Sequence, residues 1–172
     1  MPRKITAVLI TREDAWPKDV PLNFDFDELL VETRCPNVRR RFELAQQAKH
    51  EHIYVQDDDN VIDIKALYEH YDDEHLTNVM IPGIHETYEP TGVTLLGYGA
   101  FFPKSLINFS RWERTHGEVD AMEADRIFTF LAQPHRVVFQ DVKQIRRAEK
   151  MCERQGHYET RQRFFDALAV LP

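Results

Sequence analysis

The sequence predicts an α/β domain built on a mixed, mostly parallel sheet flanked by helices. Short β-branched apolar runs alternate with segments of helical spacing along the chain. The first run, residues 4–11 (KITAVLIT), is apolar at nearly every position, as in a strand buried on both faces. The chain is 42% hydrophobic and 30% charged, which excludes disordered and fibrous classes. With nine Pro and six Gly scattered and no repeat, no linker divides it, so residues 1–172 are expected to form one domain.

After the first strand, residues 12–23 are a polar, Pro-containing loop, and residues 29–33 read as a second strand. Pro36-Asn37 opens a helix with Asn37 as N-cap, and Val38, Phe42, Ala45 and Ala48 fall on one face of it. The HIYVQ run, residues 52–56, is a strand that leads directly into Asp57-Asp58-Asp59-Asn60. Residues 63–71 form a helix with Ile64, Leu67 and Tyr71 on one side. Residues 78–81 and 93–96 read as strands, separated by a Pro/Gly-rich turn region over 82–92. Beyond Gly97-Tyr98-Gly99 come a helix near 104–109, a helix over 118–131, a strand over 136–140 and a closing helix over 158–171.

Cys35 and Cys152 make neither a disulfide framework nor a zinc spacing. They read as small buried hydrophobes in a reducing, cytoplasmic setting. The apolar run over residues 5–10 is too short for a signal peptide, and no stretch approaches the ~20 apolar residues of a membrane span. The net charge of -7 is uneven: residues 57–74 hold eight acidic residues and one lysine, while residues 143–163 hold seven basic and three acidic. That pattern suggests an acidic cation site and a separate basic face. There is no Walker-type loop, no G-x-G-x-x-G and no G-x-S-x-G, which argues against kinase, dehydrogenase and hydrolase chemistry.

The sharpest feature is the aspartate triplet at a strand end. Three adjacent carboxylates repel one another unless something positive binds them. Mg²⁺ or Mn²⁺ prefers such oxygens and leaves positions open for substrate phosphates. A solvated acidic turn ending in a helix cap is the plainer alternative. Tyr98, flanked by Gly97 and Gly99, suits close approach of a ligand and ring stacking, or equally a strand-end bulge with a core aromatic. Of the run Arg39-Arg40-Arg41, one side chain is expected on a ligand phosphate, with Arg40 the candidate, and the others solvated.

The run Ile53-Tyr54-Val55-Gln56-Asp57-Asp58-Asp59 resembles the DXD region of nucleotide-sugar glycosyltransferases of the GT-A fold. The opening strand ending in Thr11-Arg12 is similar to their nucleotide-binding start. The segment from Asn37-Val38-Arg39-Arg40-Arg41-Phe42 to Ala48 resembles the helix before the DXD strand. Gly97-Tyr98-Gly99-Ala100-Phe101-Phe102 resembles a G-[WY]-G-A-x-F segment, and Glu123-Ala124-Asp125-Arg126-Ile127-Phe128-Thr129 an acidic helix that follows it. The likeness spans nearly the whole chain, in order, and is greatest to compact single-domain members, some borne by bacteriophages.

The resemblance implies a GT-A-like (Rossmann-like) fold and a metal-dependent transfer of a sugar from a nucleoside-diphosphate donor, a UDP-sugar favoured, to a hydroxyl acceptor. It implies Asp59 as the metal ligand, and Asp57 and Asp58 on the donor ribose or the Mn²⁺ or Mg²⁺ ion. Thr11 and Arg12 then lie at the base and ribose. His157 matches a C-terminal metal-ligating histidine; a solvated loop histidine is the alternative. Asp125, then Glu123, is the candidate base that takes the acceptor's proton. A surface ion pair is the other reading of Asp125. The phage-borne likeness adds a hydroxymethylated base in DNA, flipped from its stack, as one acceptor, with residues 143–163 on phosphate. Such an enzyme would work in the host cytoplasm. The overall acidity opposes tight DNA binding. A nucleotidyltransferase is the alternative enzyme, disfavoured because Arg12-Glu13-Asp14-Ala15-Trp16 holds no glycine. A non-catalytic nucleotide- or metal-binding module is the other alternative. No oligomeric state is specified.

Overall fold

The first strand sets the layout. In the computed structural model, which describes residues 2–145 and 157–168, β1 (Ile5–Ile10) is buried along its whole length. Its side chains alternate between faces: Val8 and Ile10 enter one apolar cluster, and Ile5, Ala7 and Leu9 the other. Continuous apolarity therefore means two covered faces, as the sequence predicts.

Along the chain follow β2 (Glu28–Glu32), α1 (Arg40–Gln47), β3 (His52–Gln56), β4 (Asn60–Val61), α2 (Ile64–Glu69), β5 (Leu76–Met80) and α3 (His85–Tyr88). Then come β6 (Ala100–Pro103), α4 (Ser110–His116), α5 (Ala124–Leu131), β7 (His135–Phe139), β8 (Lys143–Gln144) and α6 (His157–Leu168). The main sheet has six strands in the order β2-β1-β3-β6-β5-β7. Strand β6 is antiparallel to β3 and β5, and the other pairings are parallel. This is an α/β, Rossmann-like layout with a mixed, mostly parallel sheet. Phe42 of α1, Trp112 of α4, Phe128 of α5 and Phe164 of α6 pack into one cluster. Leu67 of α2, Tyr54 and Phe101 anchor the other, with Phe24 and Phe26 of the loop after β1 against it. No helix among the described residues is long and apolar enough to cross a membrane.

Several expected elements fall elsewhere. Residues 93–96 are not a strand. Their polar groups go to side chains: Asn78 Nδ2 donates to Thr94 Oγ1 (2.7 Å) and Leu95 O (3.4 Å), and Thr94 N donates to Thr129 Oγ1 (3.3 Å). The strand that fills the sheet is β6, beyond the glycines. The helix expected near 104–109 is one 3₁₀ turn, Lys104–Leu106, and α4 takes up the chain after it. The helix expected over 118–131 begins at Ala124. Asn37 is not an N-cap; α1 starts three residues later, with Arg39 at the cap position and no side-chain cap. Asp63 does cap α2, accepting from Ala66 N at 3.0 Å. Cys35 is buried, and Cys152 lies outside the described residues.

Candidate functional site

The chain leaves β1 towards β2 on one side and returns through α1 to β3 on the other. The carboxyl ends of β1 and β3 therefore flank a topological switch point, where α/β sheets form a ligand crevice. A cleft of about 560 Å³ opens there. Its floor is Ile10 at the end of β1 with Thr11 and Arg12 just beyond it, and Asp57, Asp58 and Asp59 just beyond β3 with Asn60 of β4. Its walls come from the segment before α1, from residues 94–98 and from the start of α5.

The two strand ends are tied together. Thr11 Oγ1 donates to Asp58 Oδ2 at 2.5 Å. Gly97 O accepts from Asp57 N and Asn60 Nδ2, each at 3.0 Å, and Asn60 Nδ2 also reaches Asp59 Oδ1 at 2.6 Å. A side chain at position 97 would collide with Asp57 Oδ2, so glycine is needed there for close approach. Gly99, at φ +126°, takes a backbone conformation that only glycine adopts freely. The β4–β8 pair closes the far side, with Ile145 N donating to Asp59 O at 2.6 Å.

At the centre is Arg41, whose side chain is 1% exposed. Its Nη2 donates to Asp57 Oδ1 at 2.5 Å, and its Nη1 lies 3.3 Å from Asp125 Oδ2. One buried guanidinium thus bridges the strand-terminal carboxylate and the helix carboxylate. Burial raises the Asp125 pKa to about 6; Arg41 opposes that rise, and the Asp57 charge adds to it. An acid with a pKa of about 6 is ionised at neutral pH yet basic enough to take a proton. Glu123 points elsewhere. It is 2% exposed, pairs with Arg126 Nη1 at 2.6 Å, and does not line the cleft. The two acids, two residues apart, take different faces.

Polar atoms without a hydrogen-bond partner among the described residues gather at this cleft. Asn37 Oδ1, Arg41 Nε, Asn60 Oδ1, Asp125 Oδ1 and Arg126 Nε are all buried and unbonded, and all belong to residues lining it. Buried polar atoms are normally satisfied, so such a concentration marks a place where water or a polar ligand completes the bonding. The cleft also includes Cys35, whose thiol burial pushes up, away from the range of a reactive thiolate.

A scan against protein-family models gives no match, and a search of curated proteins gives none.

The structure brings together Thr11, Arg12, Asp57, Asp58, Asp59, Tyr98 and Asp125. Tyr98 lines the cleft and is 7% exposed, counted in the core cluster of Tyr54 and Phe101. Arg40 does not reach the cleft. It turns outward to Glu32 Oε1 (2.8 Å) and Glu43. Its neighbour Arg41 enters the cleft instead, because successive helical residues point about 100° apart. The sequence held a signal for this. Arg41 lies three residues after Val38, four before Ala45 and seven before Ala48, inside the apolar stripe, and a charge in such a stripe is seldom accidental. His157 opens α6, and its side chain is outside the described residues.

Among the described residues, no group of three or more His, Cys, Asp or Glu side chains is arranged to hold a metal ion. Asp57 is engaged by Arg41 and Asp58 by Thr11, so at most one or two oxygens of the triplet could serve a hard cation, the rest of whose shell would have to come from water or ligand phosphates.

Proposed function

We propose that this chain is a nucleotide-sugar glycosyltransferase, moving a sugar from a nucleoside-diphosphate donor to a hydroxyl acceptor. One observation carries the reading: the strand-terminal aspartates and Asp125 share one cleft, joined through buried Arg41. The resemblance of the same segments to glycosyltransferase motifs supports it.

The residues divide the work. Thr11 and Arg12 bound the end of β1, where the ribose and base of the donor would lie. Asp59, with Asp57 and Asp58 beside it, would hold Mn²⁺ or Mg²⁺. Bound there, the ion would neutralise charge on the departing diphosphate. Asp125 takes the proton from the acceptor hydroxyl as its oxygen bonds to the anomeric carbon. The carbon–oxygen bond to the diphosphate breaks, and the nucleoside diphosphate leaves with that electron pair. With Asp125 as base on the attacking side, the transfer inverts the anomeric centre.

Titration calorimetry with UDP and then GDP, in Mn²⁺ and in EDTA, tests the reading on wild type and Asp59→Asn. Metal-dependent binding that the substitution removes is the expected result. Folded protein that binds neither nucleotide in Mn²⁺ would exclude a standard donor.

A further inference from the structure

A second cavity, of about 520 Å³, lies between α5, α6 and residues 87–91. We propose that it receives the body of the acceptor, and that the acceptor is a ring-bearing apolar alcohol rather than a saccharide. The proposal rests on the transferase reading for the acceptor role, and on the cavity itself for the chemistry of the occupant.

The two cavities are neighbours, with Arg161 lining both. On α5, Arg126 lines the cleft, and Phe130, about one turn or ~6 Å further along the helix, lines the second cavity. On α6, Phe165 and Leu168 follow Arg161 at four and seven residues, on the same helical face. The same two helices thus border both cavities, one turn apart. Asp125, adjacent to Arg126, lines the cleft on this side. An acceptor with its hydroxyl at Asp125 would place its remaining atoms towards the second cavity, since the nucleotide takes the side of β1 and β3.

The lining selects the class. Five of the eight lining residues are apolar or aromatic, so the walls reward burial of carbon surface. The polar groups on offer are the hydroxyls of Thr87, Tyr88 and Thr91 and the Arg161 guanidinium at the edge shared with the cleft, and Thr91 Oγ1 already donates to Tyr88 O at 2.6 Å. A sugar would bring several hydroxyls into a space with few partners, and unpaired buried polar groups are penalised. An aryl or alicyclic ring fits the same walls without that penalty, with Tyr88, Phe130 and Phe165 available for ring contacts.

The test uses 4-nitrobenzyl alcohol and methyl β-glucoside as probes, with wild type and Thr87→Trp. Thr87 is exposed at the cavity rim on α3, so tryptophan there fills the space without disturbing the core. NMR titration of each probe, without donor, is expected to shift the resonances of Phe130 and Phe165 with the aryl alcohol and not with the glucoside. Thr87→Trp should weaken that binding about tenfold or more while UDP or GDP affinity stays unchanged. In transfer assays, the substitution should raise KM for the aryl alcohol and leave hydrolysis of the donor by water unaltered. Preference for the glucoside, or aryl-alcohol binding that Thr87→Trp does not weaken, would overturn the proposal. Aryl-alcohol binding at this cavity in a protein that binds no nucleotide would uphold the occupant and sink the transferase reading, so the two fail separately.

Discussion

Arg41 and Asp125 hold opposite charges in a place where neither is well solvated, and that conflict is informative about the chemistry. A carboxylate raised to a pKa of about 6 destabilises the fold whenever it is ionised. The folded protein binds that proton more tightly than the unfolded chain, so stability falls as pH rises from the ordinary value of 3.8 through about 6. Asp125→Asn is therefore expected to raise the melting temperature at pH 7.5, to leave it nearly unchanged at pH 3.5, and to abolish transfer at pH 7.5; thermal scans at the two pH values and a transfer assay at pH 7.5 check it. Arg41 works in the other direction on the same group. In wild type the acid limb of kcat/KM should rise with a pKa of about 6. Arg41→Met removes the charge that opposes the shift and should move this limb to higher pH, while Arg41→Lys keeps the charge and should hold it near wild type. A pH–rate series on the three proteins decides the matter, and an unmoved limb in Arg41→Met would detach Arg41 from the proton step. Arg41 itself was within reach of the sequence, through its place in the apolar stripe. The pairing with Asp125 was not, because a contact across 84 positions of chain is set by tertiary packing.

The Gly97-Tyr98-Gly99 turn shows what an element adds. Two glycines there do separate jobs, and two alanine substitutions should separate them. At Gly97 the new methyl meets the Asp57 carboxylate, a side chain that can swing away, but only by leaving Arg41. Gly97→Ala should thus weaken nucleotide binding markedly and lower the melting temperature less than Gly99→Ala does, because Arg41 keeps Asp125 as a partner. At Gly99 the φ of +126° is unsuitable for alanine, and the methyl would lie 2.5 Å from Ile62 Cδ1 in the core. Gly99→Ala should cost about 1–3 kcal/mol of stability. Calorimetric binding paired with denaturant unfolding distinguishes the two. The turn's importance was visible in the sequence, and its neighbourhood was not. Residues 93–96 carry a strand-like apolar run, yet Asn78 and Thr129 capture their backbone and hydroxyl groups and bend them into the cleft wall. Local pattern reports burial of Val93 and Leu96 correctly and cannot report which partner takes their polar groups.

Across the whole molecule, charge is distributed by task and not by segment. The acidic stretch over 57–74 reads as one cation site, but the fold divides it. Asp57, Asp58 and Asp59 enter the cleft, Asp63 caps α2, Asp72 pairs with Arg136 at 2.5 Å, and Asp73 pairs with Arg3. The pairs at Asp72 and Asp73 join strand ends distant in sequence, so a linear count of charge could not separate them from the cleft. The sheet's switch point could be anticipated, since a strand-terminal triplet in an α/β pattern belongs at a carboxyl end. A ligand seated there touches the ends of both β1 and β3, adjacent inner strands of the sheet, so its binding energy stabilises the whole fold rather than a loop. By linkage, a nucleotide at one hundred times its Kd adds about 2.7 kcal/mol. For a chain of this size that corresponds to a rise of roughly 5–10 °C in Tm. The rise should need Mn²⁺ or Mg²⁺, disappear in EDTA, and be absent in Asp59→Asn. The Asp63→Asn and Asp73→Asn controls, drawn from the same acidic stretch but outside the cleft, should retain it in full. If all three variants lost the shift equally, the stretch would be acting as one diffuse field of negative charge, and the division of labour read from the fold would be wrong.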